Sequence, residues 1–240
     1  MQKPSLSIVM PIFNEERTLR QIIGRVHAAC PDAEVIFVND GSTDGSLAIL
    51  QELARPASVE SGRPQDHVLI KENGGKGSAV RMGYNKASGR YVIVQDADLE
   101  YDPEEIPAML RTAEESDLPA MFGSRRIIDQ HQYAHIKFYI GGVILTGIFN
   151  LLYGTRLTDQ PNCYKMVRRD ILQSLPLIEN DFRLDSELAA LLARRGIPIA
   201  EYPTSYHPRS VAEGKKITWV DFFRAIGVFM KIRLRSRKNC

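Results

Sequence analysis

Short apolar runs alternate with amphipathic stretches along the first half of the chain. Runs rich in β-branched and aromatic residues predict buried strands at residues 6–12, 34–38, 67–70, 91–94 and 119–122. Between them, apolar residues recur at helical spacing, as in the stripe of Leu19, Ile22 and Val26. Strands that alternate with helices through short loops predict an α/β fold with a doubly wound, mostly parallel sheet and helices on both faces.

The second half of the chain is less regular. Residues 138–155 carry no charge, and a stretch of about 18 such residues is long enough to span a membrane. Its glycines, its asparagine and its hydroxyl groups favour an amphipathic, interfacial helix instead, and burial in the core is a further option. Later elements are expected to be helices at 169–175 and 184–195, a strand at 197–202, and an amphipathic helix that begins near residue 219.

Composition and charge exclude several classes of protein. The 240 residues are 44% hydrophobic and 25% charged, which is typical of a globular chain with a real core. A net charge of +2 is too small to indicate nucleic-acid binding. Three cysteines without C-x-x-C spacing argue against a disulfide framework and a zinc site, and they fit a reducing cytoplasm. We expect no signal peptide before the first strand.

An acidic cluster follows the predicted strand at 91–94. Asp96, Asp98 and Glu100 are spaced two residues apart, so an extended backbone would point their side chains to the same side. Such a cluster needs a cation, and Mg²⁺ or Mn²⁺ binds carboxylate oxygens while leaving positions open for phosphate. In isolation an acidic turn before a capped helix would explain the pattern, but other polar clusters lie at the same edge of the predicted sheet.

Three further groups of polar residues also have two interpretations. Asp40 could accept from a ribose hydroxyl or a base N–H, or it could form an ordinary Asp-Gly turn. Loop 73–78 looks like a phosphate cradle but lacks Walker A spacing, and its Lys76 could be solvated or support the nucleotide. Cations from distant segments could receive a second phosphate or only aid solubility: Arg125, Arg209, Lys215 and Lys216.

Four motifs, taken in combination and order, resemble family 2 inverting glycosyltransferases of the GT-A fold. They are Pro11-Ile-Phe-Asn14-Glu15-Glu16, Asn39-Asp40-Gly-Ser-Thr-Asp44-Gly45, Asn73-Gly-Gly-Lys76-Gly and Asp96-Ala-Asp98-Leu-Glu100. The Gly123-Ser124-Arg125 turn and segments 159–164 and 209–216 narrow the resemblance to the dolichyl- or polyprenyl-phosphate sugar synthases. The chain departs from the family pattern at Glu100, where Gln is common, and at Lys137 and Gly141, where Arg and Ser are common.

The resemblance implies a role for each group of residues. The nucleotide sugar would be bound by Pro11, Asn14, Glu16, Asp40, Lys76, Asp96 and Ala97. Mg²⁺ or Mn²⁺ would be held by Asp96, Asp98 and Glu100. The acceptor phosphate would be bound by Arg125, Lys137, Arg209, Lys215 and Lys216. The catalytic set would be Asp98, Asp159, Arg125 and Arg209; Asp159 would be the base only for a hydroxyl acceptor, and otherwise would be structural or orient the acceptor.

The implied reaction is metal-dependent, inverting transfer of a hexose from a GDP-mannose or UDP-glucose type of donor to a polyprenyl or dolichyl phosphate. Transfer to a hydroxyl of a glycan or small molecule is the main alternative, and an inactive nucleotide-sugar-binding protein is a lesser one. Residues 1–216 would form the catalytic domain, with a nucleotide-sugar half at 1–126 and an acceptor half at 127–216. An amphipathic helix and basic tail at 217–240 would hold the protein peripherally on the cytoplasmic face of a membrane, with a separate membrane-anchoring protein as one option.

Overall fold

A computed structural model describes residues 4–54, 64–127, 136–208 and 219–235. Within these ranges the strands are β1 (Leu6–Ile12), β2 (Glu34–Asp40), β3 (His67–Lys71), β4 (Tyr91–Val94), β5 (Ala120–Ser124), β6 (Lys165–Arg168) and β7 (Ile199–Pro203). The helices are α1 (Glu16–Ala29), α2 (Ser46–Leu53), α3 (Lys76–Lys86), α4 (Ile106–Glu115), α5 (Ile136–Tyr153), α6 (Arg169–Ser174), α7 (Arg183–Arg194) and α8 (Trp219–Leu234). A 3₁₀ turn at Pro103–Glu105 precedes α4.

The strands form one sheet in the order β3-β2-β1-β4-β6-β5-β7, with helices on both faces. Strands β3, β2, β1 and β4 are mutually parallel, and β7 is parallel to β5. The order reverses at β1, which lies between β2 and β4. The predicted doubly wound, mostly parallel sheet is therefore confirmed, and its ligand crevice is expected at the carboxyl ends of these central strands.

Strand β6 is a feature that the hydrophobic pattern did not predict. It is antiparallel to both neighbours, β4 and β5. Its four residues, Lys-Met-Val-Arg, contain only two apolar side chains, and its first residue, Lys165, is fully buried. Pairing on both sides stabilises this short strand, so tertiary context overrides a weak local preference.

Helices α5 and α8 pack against each other and leave apolar side chains on their outer surfaces. The rings of Phe149 and Phe229 meet edge to face at 5.1 Å, and the Tyr153 hydroxyl donates to the Phe229 carbonyl. Exposed apolar residues on the two helices are Ile140, Val143, Ile144, Leu151, Val220, Phe223, Met230 and Leu234. No helix in the described ranges is long and apolar enough to cross a bilayer. The interfacial role of these helices stays a prediction.

Close packing of α3 on β1 generates a prediction about stability. A Cβ at Gly83 would lie 2.3 Å from a methyl group of Val9, so Gly83→Ala should lower the free energy of unfolding by about 1–3 kcal/mol through overpacking. Gly24 in α1 has nothing within 4 Å of the same position, and Gly24→Ala should instead raise it by about 0.5–1 kcal/mol. Urea unfolding measures both, and shifts of the same sign would contradict the described contact.

Candidate active site

A cavity of about 520 Å³ opens where the central strands end. Its polar lining includes Glu15, Asp40, Asn73, Lys76, Asp96, Asp98, Glu100, Arg125, Cys163 and Asp185. Its apolar lining includes Phe13, Leu145, Pro161, Phe182, Phe222 and Ala225, several of which come from α5 and α8. Six of the predicted charged residues therefore meet in one cavity, beside an apolar wall.

The acidic cluster does not adopt the extended geometry that the spacing suggested. Strand β4 ends at Val94, and Leu99 has a φ of 62°, so the chain turns between the second and third carboxylates. Asp98 accepts from the backbone N–H of Glu100 at 3.1 Å, and Glu100 accepts from the Tyr206 hydroxyl at 3.0 Å. Across the described residues, no three Asp, Glu, His or Cys side chains are grouped closely enough to hold a metal.

The chemistry of the cluster nonetheless fits a hard divalent cation. Asp96, Asp98 and Glu100 all line the same cavity, and carboxylate oxygens are the ligands that Mg²⁺ and Mn²⁺ prefer. The ammonium group of Lys76 lies 2.7 Å from one oxygen of Asp96 and 2.8 Å from the other. A cation is thus already stabilised at the first of the three carboxylates.

Asp40 orders the loop that begins at Asn73. Its buried carboxylate accepts from the backbone N–H groups of Gly74 and Gly75 and from the Lys71 ammonium, at 3.0, 2.9 and 2.5 Å. A carboxylate has about four acceptor positions, so three of them are already used within the protein. Contact with a nucleoside stays a prediction for this residue.

The glycines of loop 73–78 allow one backbone to approach another. A Cβ at Gly75 would lie 2.5 Å from the carbonyl oxygen of Asn180, and one at Gly77 would lie 2.7 Å from that of Asp181. The N–H of Ser78 donates to the Asn180 carbonyl. The N–H groups of Gly74, Gly75 and Ser78 all bind within the protein. The glycines therefore allow segment 179–181 to pack against the start of α3, and phosphate binding by this loop stays a prediction.

Two of the predicted nucleotide-binding residues connect loops outside the cavity lining. Asn14 accepts from the backbone N–H of Thr43, and Glu16 accepts from that of Gly45, each at 2.8 Å. Both residues are solvent-facing and join the loop after β1 to the loop after β2. The neighbouring Glu15 lines the cavity instead.

Two further residues that were predicted to bind the nucleotide sugar, Pro11 and Ala97, do line the cavity. The Ala97 carbonyl accepts from the Thr18 hydroxyl at 2.7 Å.

Of the residues predicted to bind the acceptor phosphate, Arg209, Lys215 and Lys216 lie outside the described residues. The side chain of Lys137, near the start of α5, lies outside them as well.

Arg125 and Asp159 form a buried pair joined by three hydrogen bonds. The Arg125 backbone N–H and Nε donate to one carboxylate oxygen at 3.0 and 2.6 Å, and Nη2 donates to the other at 2.8 Å. Burial alone would raise the pKa of Asp159, but the Arg125 charge and hydrogen bonds outweigh it and lower this pKa to about 2. Asp159 is therefore a weak base that orients Arg125, whose guanidinium lies 4.9 Å from the Tyr206 ring.

Cys163 and Asp185 are among the polar groups of the cavity that were not predicted from the sequence. The Cys163 thiol donates to Asp96 at 3.0 Å. Within the described ranges, no hydrogen bond or ion pair engages the Asp185 carboxylate, although its charge acts on Lys76. Asp185 lies in the first turn of α7, where acidic residues are common, so its position in sequence did not distinguish it.

Comparison with known proteins gives concordant matches. The sequence model of glycosyl transferase family 2 matches residues 7–175. Undecaprenyl-phosphate 4-deoxy-4-formamido-L-arabinose transferase of Serratia proteamaculans is 40% identical over 212 residues, covering 82% of this chain and 62% of the relative. The same enzyme of Photorhabdus laumondii is 31% identical over 205 residues, covering 82% and 59%.

A third relative, low-salt glycan biosynthesis hexosyltransferase Agl6 of Haloferax volcanii, is 29% identical over 212 residues, which cover 86% of this chain and 48% of the relative. The chain thus spans about half to three fifths of the length of these curated relatives. Among solved structures, glucosyl-3-phosphoglycerate synthase of Mycobacterium tuberculosis, in complex with Mn²⁺, UDP-glucose and phosphoglyceric acid, has a TM-score of 0.69 at 18% identity, covering 96% of this chain and 80% of that one. At this identity the likeness shows the GT-A fold alone.

The buried pair predicts a pH-dependent loss of stability. Asp159→Asn should lower the free energy of unfolding by about 3–5 kcal/mol near neutral pH, because the Arg125 charge loses its partner. The pKa of Asp159 lies at about 2 in the folded state, below the ordinary value of 3.8. Its stabilising contribution is therefore complete well above the ordinary value and is lost as the pH falls through that value towards 2.

Urea unfolding of the wild type and Asp159→Asn, compared at neutral pH and near the folded-state pKa of about 2, should show a gap that narrows in acid. Asp32→Asn is the matched control, since Asp32 is exposed in the turn after α1. A gap that stays constant as the pH falls would contradict the lowered pKa.

Proposed function

The chain belongs to glycosyl transferase family 2, and we propose that it transfers a hexose, with inversion, from a nucleotide sugar to the phosphate of a polyprenyl or dolichyl lipid. The observation that carries this proposal is the composition of the cavity. It combines Asp96, Asp98 and Glu100 with the partly buried Arg125, and it has an apolar wall from α5 and α8. The activity of the undecaprenyl-phosphate relatives supports the same acceptor class.

On the donor side, charge neutralisation is the main requirement. Negative charge builds on the diphosphate as the sugar–phosphate bond breaks. Asp96, Asp98 and Glu100 would hold Mg²⁺ or Mn²⁺, which supplies compensating positive charge when bound. The protein's own contribution is Lys76, with its ammonium in the same cavity. A nucleotide sugar of the GDP-mannose or UDP-glucose type fits these groups.

On the acceptor side, Arg125 is a fixed cation next to the acidic turn. The Tyr206 side chain connects the two, because its hydroxyl bonds Glu100 and its ring stacks near Arg125. A phosphate nucleophile is already an anion and needs no strong base. That requirement agrees with Asp159, whose pKa of about 2 makes it a poor proton acceptor. Arg209, Lys215 and Lys216 stay predicted partners of the same phosphate.

One observation favours transfer to a hydroxyl as the second candidate function. A hydroxyl acceptor needs a general base in the cavity, and the structure offers Asp185 for that role in place of Asp159. Asp185 lines the cavity, and the described residues supply no hydrogen bond or ion pair to its carboxylate. The two candidates differ in acceptor, so a direct assay separates them.

Transfer of labelled sugar into an organic phase tests the proposed reaction. The protein would be offered labelled GDP-mannose, UDP-glucose or UDP-GlcNAc with undecaprenyl or dolichyl phosphate and Mg²⁺ or Mn²⁺. We expect extraction of label from one donor, and Asp98→Ala should reduce it by about 100-fold or more. Asp32→Ala, the same change at an exposed turn, should leave it unchanged.

The other outcomes of this assay are equally informative. Release of free nucleotide while the label stays in water would contradict the lipid acceptor and favour the hydroxyl. Binding of nucleotide without turnover of any donor would contradict both candidates and favour an inactive binding protein.

We also propose a peripheral position on the cytoplasmic face of a membrane, and the outer surfaces of α5 and α8 support the contact with a membrane. Leu151 on α5 is 86% exposed and Phe223 on α8 is 68% exposed. Exposed apolar side chains on adjacent helices are stabilised by entry into the boundary between headgroups and acyl chains. The cavity wall is formed by the same two helices, so a lipid acceptor in the bilayer would be close to Arg125.

Cosedimentation with vesicles that contain phosphatidylglycerol tests this position. The affinity of the double variant Leu151→Glu, Phe223→Glu for the vesicles should fall by about tenfold or more, since two apolar contacts are lost. Ile70→Glu is the matched control, because Ile70 is 55% exposed on β3 at the sheet edge. Equal loss in the double variant and the control would contradict a specific role for the helices.

A further inference from the structure

The contact between Lys76 and Asp96 occupies the carboxylate on which the proposed metal site depends. The Lys76 ammonium lies 2.7 and 2.8 Å from the two oxygens of Asp96. The side chains are only 19% and 18% exposed, so water screens this pair weakly. The Cys163 thiol donates to the same carboxylate at 3.0 Å, which fixes its orientation.

The Lys76 ammonium has acidic and aromatic neighbours. Asp96 and Asp185 line the same cavity as Lys76. The Phe182 ring centroid lies 5.5 Å from the ammonium. The ammonium therefore behaves as a resident cation between the acidic turn and the first turn of α7.

We propose that Lys76 is an internal counter-ion that occupies Asp96 until a nucleotide diphosphate arrives, so that the divalent metal and the nucleotide bind cooperatively. This inference rests on the proposed nucleotide-sugar function. Before the nucleotide binds, a divalent ion at Asp96 must displace the ammonium or lie beside it, and the two cations repel each other strongly at such short range.

A bound diphosphate removes this conflict. Its oxygens are acceptors for the Lys76 ammonium, and its negative charge stabilises both cations in the cavity. Asp96 then becomes available to the metal together with Asp98 and Glu100. The three carboxylates line one cavity together with Lys76, which agrees with this order.

A different role for the pair makes a different prediction. If Lys76 and Asp96 form a permanent structural ion pair, Asp98 and Glu100 alone would bind the metal. Removal of the ammonium would then destabilise the fold without strengthening metal binding. Metal affinity without nucleotide therefore distinguishes the two roles, and it does not require turnover.

The experiment is a Mn²⁺ titration followed by electron paramagnetic resonance, without nucleotide, with UDP and with GDP. In the wild type, one of the two nucleotides, UDP or GDP, should tighten Mn²⁺ binding by about tenfold or more compared with Mn²⁺ alone. Lys76→Met should bind Mn²⁺ alone about five- to tenfold more tightly than the wild type, and its nucleotide effect should shrink by a similar factor. Lys86→Met, the same change at an exposed position of the same helix, should behave as the wild type.

Lys76→Gln gives the same test if the methionine variant does not fold, because the amide can still donate to Asp96 without a charge. Tighter binding of Mn²⁺ alone in either folded variant supports the counter-ion role. Unchanged Mn²⁺ affinity and unchanged nucleotide effect would overturn it while leaving the proposed function intact. If the wild type binds no Mn²⁺ even in the presence of UDP or GDP, the metal-dependent function itself is overturned, and this inference with it.

Discussion

The cavity depends on a buried ion pair, Asp159 with Arg125, at the entrance of the loop that leads into β6. This loop bonds to both sides of the site. Asp159 holds Arg125 at the end of β5, and Cys163 donates to Asp96 just beyond β4. Tyr164, the last residue before β6, donates from its hydroxyl to Gln95 at 2.6 Å. One short segment therefore fixes the separation between the acidic turn and the guanidinium.

Charge balance follows from the same burial. A charge removed from water needs a partner, and loss of one partner from a buried pair costs several kcal/mol. Arg125 is balanced by Asp159, and Lys76 by Asp96. An incoming diphosphate adds negative charge that a metal can balance, whereas a metal alone meets the Lys76 ammonium at Asp96. The proposed joint entry of the metal and the diphosphate agrees with this charge balance.

Local pattern predicted most elements of the fold but only part of the site. The parallel strands and their helices were predictable because long apolar runs and stripes reflect burial directly. Strand β6 was not, since a buried lysine begins it and its partners are distant in sequence. Spacing identified Asp96, Asp98 and Glu100 correctly as cavity residues, but Leu99, with a φ of 62°, breaks the extended backbone that the spacing assumed. No spacing rule anticipates that turn.

The glycine motif illustrates why the remaining site residues could not be predicted. In sequence, Gly75 and Gly77 flank a lysine and look like parts of a phosphate loop. In the fold, both lie against the backbone of segment 179–181, and any side chain there would push that segment away. That contact brings Phe182 and Asp185, which follow directly, to the cavity beside Lys76. The motif therefore shapes the site through packing, and its effect on Asp185 becomes visible only when two segments about 100 residues apart are seen in contact.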